Sequence, residues 1–306
     1  MSVRPATPGE LPRLFGWASA EPVAWVDDSR LHRELNTRNY RPEWCWTAEL
    51  DGALVGRALW WGPADAELPV SLDCLLVRDT AVAPEDIGAA LIEVGLETFG
   101  SSQVLEFNVD VATDWADDPA AVHAIEWRGR AARAGGFART TERVTFARES
   151  SDPRPERSSR LQFAPAADEE FRAHFARVAE GSLDAHTLDM VAREGVEALA
   201  DNDLKFYLSL PGERSAWRIA TWTDQSIGFI IPTRTAYDAS ISYLGVLPEY
   251  RGRGYVNDLL AEMVHTHHDS GEARIVGTTD ATNTPMRGAF ERAGFAATRR
   301  RIVHAK

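Results

Sequence analysis

The sequence predicts an α+β protein made of two similar halves in tandem. Three observations predict it. The stretch Glu149-Ser-Ser-Asp-Pro-Arg-Pro-Glu-Arg-Ser-Ser-Arg160 is polar, proline-bearing and aperiodic, the composition of a linker, and it divides the 306 residues near their middle. Gly136-Phe-Ala-Arg-Thr-Thr-Glu-Arg-Val-Thr-Phe-Ala147 aligns with Gly294-Phe-Ala-Ala-Thr-Arg-Arg-Arg-Ile-Val-His-Ala305 with six identities in twelve, each copy following an Ala/Arg-rich helical stretch. Strand-like and helix-like apolar patterns then follow one another in a similar order in both halves. The expected division is a first domain at 1–148, a linker at 149–160 and a second domain at 161–306.

In the first half, Thr47–Leu50 and Leu54–Trp61 read as a hairpin around Asp51-Gly52, a turn signal between β-rich runs. Leu72–Val77 reads as a strand, Glu85–Phe99 as a helix, Val104–Val111 as a strand and Ala120–Ala134 as a helix. In the second half, Leu161–Ala164 is a short strand and Ala167–Ala200 a helical region interrupted around Gly181. Ala216–Trp222 and Ile227–Ile231 form a hairpin across Asp224-Gln-Ser, and Ser240–Val246 is a strand stopped by Pro248. Val256, Leu259, Leu260, Met263 and Val264 recur at helical spacing. Arg274–Gly277, Thr284–Ala293 and Ala296–Val303 complete the domain as strand, helix and strand.

Composition removes several classes of function. The chain carries 33 basic and 46 acidic side chains, a net charge of −13. Residues 1–150 hold 14 Arg and no Lys against 24 Asp and Glu, and residues 151–306 hold 19 basic against 22 acidic. Neither half offers the basic face that nucleic acid requires. An acidic surface suits cationic small molecules, and equally serves solubility. No apolar run approaches the length of a membrane span, and no secretory leader is evident. Two cysteines, Cys45 and Cys74, read as ordinary thiols of a reducing compartment, so the expected location is the cytoplasm. Eight of the ten tryptophans, Trp44, Trp46, Trp60 and Trp61 among them, fall in the first half, where strand aromatics mostly build core.

The chemistry is concentrated in Tyr243-Leu-Gly-Val-Leu-Pro-Glu-Tyr-Arg-Gly-Arg-Gly-Tyr-Val-Asn-Asp-Leu-Leu260. A strand ends at Val246, and a turn holding Gly252 and Gly254 opens a helix. Glycines let backbone N–H groups approach an anion, the helix N-terminus adds partial positive charge, and Arg251 and Arg253 add full charge. This is the make-up of a pyrophosphate cradle. It is neither a P-loop, lacking Gly-Lys-Ser/Thr, nor a dinucleotide fingerprint, lacking Gly-x-Gly-x-x-Gly.

The segment resembles the GNAT superfamily of acyl-CoA-dependent N-acyltransferases, whose Arg/Gln-x-x-Gly-x-Gly/Ala signature follows Val-x-Pro. The match is Val246-Leu-Pro248, then Arg251-Gly-Arg-Gly254-Tyr-Val256, with Val256 standing where Gly or Ala is usual. Asp280-Ala-Thr-Asn283-Thr-Pro-Met286 and Phe290-Glu-Arg-Ala-Gly294-Phe295 resemble the family's Asn, helix, Gly-Phe ending. The resemblance implies two tandem domains of mixed, mostly antiparallel sheet flanked by helices, the layout of mycothiol synthase, with acetyl-CoA as cosubstrate and no metal. It implies that Gly245, Val246 and Leu247 pair with the pantetheine arm. It also implies that residues 251–256 hold the pyrophosphate, and that Asn283 and Phe290 face the cofactor. In the first half Arg78-Asp-Thr-Ala-Val-Ala-Pro-Glu-Asp replaces the loop, and Asp79, Glu85 and Asp86 set negative charge against any pyrophosphate. That half is expected not to bind CoA.

The implied reaction is direct transfer to an amine in a ternary complex. It needs a base for the ammonium, a donor for the oxyanion (the N–H near Val246) and an acid for the leaving thiolate. Phe290 occupies the position of the family's acidic tyrosine, leaving Tyr243 or Tyr255 as the acid or solvent in their place. Ser240 occupies the place of its usual glutamate, leaving Asp238 as the leading base. Asp184 and His186, in the helical region that covers the acceptor, and Asp280, after a strand, are substrate candidates with helix capping as the plainer role. His265, His267 and His268 lie near a helix C-terminus, where the dipole alone favours them, and no metal is assigned. The expected partner is a small-molecule amine, cationic at neutral pH, with neither nucleic acid nor membrane, on a monomer or homodimer. A mycothiol-synthase-like enzyme and a CoA-binding sensor or scaffold without turnover are the alternatives.

Overall fold

The computed structural model describes residues 1–100, 105–235 and 237–306. Along the chain run β1 (Ser2–Pro5), α1 (Asp28–Asn36), β2 (Cys45–Leu50), β3 (Ala53–Trp61), β4 (Ser71–Val77), α2 (Pro84–Phe99), β5 (Glu106–Val111), α3 (Pro119–Ala134) and β6 (Arg139–Glu149). After 150 come β7 (Gln162–Ala164), α4 (Asp168–Ala179), α5 (Ala185–Glu194), α6 (Val196–Ser209), β8 (Arg218–Trp222), β9 (Gln225–Arg234) and β10 (Ala239–Val246). The last elements are α7 (Tyr255–Asp269), β11 (Arg274–Asp280), α8 (Thr284–Arg292) and β12 (Ala296–Ala305). The expected elements are present. Val104, the expected start of one strand, lies outside the described residues, while β1 and α1 were not among the expected elements and α6 runs beyond the expected helical region ending at Ala200.

Two compact units result, Met1–Glu142 with Arg299–Lys306, and Arg143–Thr298. The boundaries thus fall inside β6 and β12, not in the expected linker at 149–160, which lies wholly in unit 2. Unit 1 orders its strands β1-β2-β3-β4-β5-β12, antiparallel except for the parallel pair β4/β5. Unit 2 orders its strands β7-β8-β9-β10-β11-β6, antiparallel except for the parallel pair β10/β11. The two sheets have the same plan, but each takes its sixth strand from the other half of the sequence. Both exchanged strands follow the same turn: Gly136 (φ +110°) and Gly294 (φ +81°) end helices, and Phe137 and Phe295 bury behind them.

Sequence patterns explain the local detail. Asp51 and Gly52 both have positive φ at the β2/β3 hairpin, and Thr223 and Asp224 do the same between β8 and β9. Trp44, Trp46, Trp60 and Trp127 sit in the unit 1 core, with Gly95 of α2 tight against the Trp60 indole. In unit 2 the sheet buries two faces. Leu259, Leu260, Met263 and Val264 of α7 pack with Ile241, Ile275 and Phe146 on one side. Phe171, Phe175 and Val178 of α4 pack with Phe229, Ile231 and Leu247 on the other.

Candidate functional site

The site is built where β10 and β11 part. Their parallel ladder covers only Ala239–Ile241 against Ile275–Gly277, while β10 stays paired with β9 through Val246. The β9/β10 register shifts between Ile241 and Tyr243, opposite Pro232, which has no N–H to give a regular ladder. Leu247 N–H donates to Ile227 O at 2.9 Å, so antiparallel alternation turns the N–H and C=O of Leu244 and Val246 toward the parted side. Ligands of open sheets with parallel strands collect at such carboxyl ends.

Beyond Val246 the chain enters the glycine loop. Gly252 and Gly254 have φ of +74° and +77°, and Gly254 is the left-handed N-cap of α7 with no capping side chain. A Cβ on Gly252 would meet nothing within 4 Å. The first N–H groups of α7 therefore have no side-chain acceptor at the cap, the arrangement that receives an anion.

The two arginines of the loop differ. Arg251 does not present its charge to the loop, as the sequence led us to expect. Its guanidinium donates to Val246 O (3.1 Å), Val178 O (2.6 Å), Glu180 O (2.5 Å) and Gly181 O (3.0 Å), tying the end of α4 to the end of β10. Arg253 is exposed and makes no ion pair among the described residues, its guanidinium 5.7 Å from the Tyr250 ring centre. Val256 is half-buried on the first turn of α7.

Gly245 is buried because a side chain would collide with Phe229 (2.7 Å) and Val178 (2.9 Å). Leu247 is fully buried beneath α4. Tyr255 is buried too, with the Arg160 guanidinium 4.2 Å over its ring and Arg160 itself bound to Asp258. Asn283 caps α8, its Oδ1 accepting from Met286 N–H at 3.2 Å. Phe290 does not face the loop. It is 1% exposed, stacked on Phe146 at 5.0 Å and edge-on to Phe295 at 5.1 Å. An all-carbon ring has no polar atom to keep it at a wet surface, so it completes the core.

Asp238 is displaced from the role expected of it. It precedes the first residue of β10, at the opposite end from Val246 and about 25 Å away by strand rise. There it holds Arg274 at 3.0 Å and shapes a turn with Thr235. Ser240, nearby, gives its carbonyl to His267 Nε2 at 3.0 Å. His265 and His268 likewise bond to the carbonyls of Pro155 and Ser150, at 2.8 Å and 3.1 Å. All three rings bond backbone that packs on α7.

The carboxyl ends of β10 and β11 collect ionisable groups from three further elements, β6, α5 and α6. Asp280 ends β11, is 3% exposed, accepts from Ala185 N–H at 2.8 Å and lies 3.4 Å from Arg143 Nε; burial raises its pKa. Asp184 caps α5 through Thr187 N–H at 2.8 Å. His186 is exposed on the first turn of α5. Tyr243 stacks on Phe175 (5.5 Å) and meets Tyr207 of α6 (5.2 Å), and burial raises both phenol pKa values. Asp203, one turn before Tyr207, completes the group. It was not singled out in the sequence, because Asp201-Asn-Asp-Leu-Lys205 is a plain polar stretch beyond the helical region expected to end at Ala200.

The equivalent place in unit 1 is chemically different. Between β4 and α2 no residue has positive φ, and the first turn of α2 carries Glu85 and Asp86. A cavity of about 390 Å³ beside it is lined by Trp17, Glu21, Arg78, Asp79, His123 and Trp127.

The model of the acetyltransferase (GNAT) family matches residues 184–295. Among curated proteins none matches the chain in sequence. A GCN5-related N-acetyltransferase from Sphaerobacter thermophilus superposes with a TM-score of 0.53 at 17% identity, covering 100% of this chain and 95% of its own. The GCN5-related glucosamine N-acetyltransferase region of a fungal multi-domain GH3 β-N-acetylglucosaminidase gives 0.55 at 13% identity, covering 99% of this chain and 38% of that one. No helix among the described residues is long and apolar enough to cross a membrane. The chain thus shares its fold with GCN5-related N-acetyltransferases, and the segment that matches the acetyltransferase (GNAT) family model lies wholly within unit 2.

Proposed function

We propose that the protein transfers an acetyl group from acetyl-CoA to the amine of a small molecule, by direct attack in a ternary complex formed in unit 2. The observation that carries this reading is the junction of a parted β10 with a glycine loop whose helix has an uncapped N-terminus. The pyrophosphate is received by the N–H groups at 252–256 and by Arg253. The pantetheine arm pairs along residues 245–247 as an added strand. Val246 N–H, turned to the parted side, donates to the oxyanion of the tetrahedral intermediate, a contact worth about 3 kcal/mol in comparable oxyanion holes. Arg251 holds the shape of this junction instead of binding phosphate.

Of the two phenols considered for protonating the leaving thiolate, Tyr243 fits better. Its ring lies beside the acidic group at the strand ends, whereas Tyr255 is sealed under Arg160. A phenol held above its ordinary pKa stays protonated and is able to donate. The acceptor is a cationic amine: Asp184, Asp203 and Asp280 surround the place where it would enter. The amino sugar named for the fungal relative is one acceptor of this kind. The cytoplasm, which supplies acetyl-CoA, is the compartment this chemistry needs.

The test is calorimetric titration of acetyl-CoA into the intact chain and into Arg253→Ala. One site per chain is expected, with affinity about tenfold lower in the variant, the loss of one charge-assisted contact. Two sites would assign the unit 1 cavity a CoA as well, and no binding at high micromolar acetyl-CoA would sink the reading. Binding without consumption of acetyl-CoA across an amine panel would make the protein a CoA sensor.

A further inference from the structure

We infer that Asp203, on α6, is the group that takes the proton from the acceptor ammonium, and that the acceptor carries this ammonium on an apolar body resting against Phe206. The inference rests on the acetyl-transfer reading above and identifies its base and its acceptor class.

The other carboxylates at the ends of β10 and β11 are already occupied. Asp184 spends one oxygen on the cap of α5, accepting from both the N–H and the hydroxyl of Thr187, and its other oxygen is 3.9 Å from Arg143. Asp280 accepts from Ala185 N–H and faces Arg143 with its second oxygen. Asp238 is ion-paired at the far end of β10. Asp203 makes no hydrogen bond or ion pair with any described residue, although it is half-buried. A base needs a lone pair that is not already occupied.

Position and environment then agree. Asp203 and Tyr207 are four apart on α6 and so lie on one face of the helix. Tyr207 in turn packs on Tyr243, whose strand ends at the acyl-transfer junction. Neither phenol hydroxyl has a hydrogen-bond partner among the described residues. The charged groups felt by Asp203 are His186 and Asp184 of α5, with Tyr207 on its own helix and Tyr243 on β10; Arg143 of β6 and Asp280 of β11 complete the surroundings. Burial, reinforced by Asp184 and opposed by His186, pushes the Asp203 carboxyl up to about 6. That value leaves it ionised at neutral pH and a stronger base than an ordinary aspartate, which suits removal of an ammonium proton.

The outer wall gives the acceptor its second feature. Phe206 is 55% exposed with its ring edge-on to Tyr207 at 5.1 Å, and Leu183 beside Asp184 is 54% exposed. A charge-seeking end and an apolar shoulder together fit a primary amine on a hydrophobic body. In the transfer step the carboxylate of Asp203 takes one ammonium proton and the freed nitrogen pair attacks the thioester carbon. As the C–S bond breaks the nitrogen gives up its second proton to solvent, leaving a neutral amide; the thiolate takes its proton from Tyr243, and Asp203 and Tyr243 return to their starting states by exchange with solvent.

The experiment uses the intact chain with acetyl-CoA and phenethylamine as acceptor, CoA release being followed across pH 5–9. In the wild type, kcat/KM should rise below pH 6 and stay flat from 7 to 9, because the productive pair is carboxylate and ammonium. Asp203→Asn should lose about 100-fold at pH 7 and instead climb about tenfold per pH unit, following the unprotonated amine in solution. Asp203→Glu should recover the plateau, and Phe206→Ala should raise KM with little change in kcat. Acetyl-CoA affinity, read by calorimetry, should be equal in all four proteins. An Asp203→Asn enzyme with the wild-type rate and pH profile overturns the inference, and so does a wild type that binds acetyl-CoA yet leaves phenethylamine unreacted. Failure to bind acetyl-CoA at all overturns the acetyl-transfer reading instead.

Discussion

Arg251 and Arg253 are two residues apart in one loop and are given different work by their neighbours. Arg251 is a clamp: four carbonyl oxygens from α4 and β10 share one guanidinium. Arg251→Ala should therefore destabilise the protein by about 2 kcal/mol in denaturant titrations, whereas Arg253→Ala should leave stability unchanged and act on cofactor affinity alone. Gly245→Ala should also destabilise, by about 1–3 kcal/mol, because its Cβ would stand 2.7 Å from the Phe229 ring. The sequence made the glycine loop readable, since positive φ and an open helix start depend on adjacent residues. It could not separate the two arginines, because the carbonyls that occupy Arg251 lie some seventy positions earlier. Asp203 stayed hidden for the same reason: its environment is made by α5 and β10, brought together only on folding. Asn283, expected to face the cofactor, has its side-chain oxygen bound as the cap of α8.

At the scale of the element, β10 shows what hydrophobic periodicity conveys and what it omits. Its existence and its end at Val246 were legible. The register shift opposite Pro232 and the parting from β11, which make it a site, follow from pairings that no local pattern records. β12 carries a second consequence. His304 is 2% exposed, with Nδ1 2.9 Å from the Thr140 hydroxyl and its ring 5.4 Å from Phe107. Burial, with Arg133 nearby, lowers its pKa to about 4. The folded chain thus refuses a proton that the unfolded chain accepts near pH 6.5, so the stabilisation is complete above that pH and is lost as pH falls toward 4. The loss should reach about 3 kcal/mol, read as a falling denaturation midpoint between pH 6.5 and 4. His304→Phe should flatten that part of the pH profile.

For the whole molecule, the duplication was visible in the Gly-Phe endings, but the partners of the strands they introduce were not. Two nearly interchangeable sequences give no local sign of which sheet each will join. Because β6 completes unit 2 and β12 completes unit 1, a chain cut between the halves holds neither unit whole. Fragments 1–148 and 161–306 should each be unstable when expressed alone. Fragment 161–306 lacks the strand that pairs with β11 along Arg274–Asp280, and fragment 1–148 lacks the strand that pairs with β5 along Glu106–Val111. Circular dichroism melts of the separate fragments against the intact chain test this, and cooperative melting of either fragment at the parental temperature would contradict it. The exchange also sets an order in time. Chains emerge from the ribosome N-terminus first, at about 5–20 residues per second. The unit begun first must nevertheless wait for residues 299–306, made after all of unit 2, while unit 2 already has its borrowed strand in hand. Completion of unit 1 is thereby deferred until all of unit 2 has been made, and a chain stopped short of β12 leaves its oldest part without a closing strand.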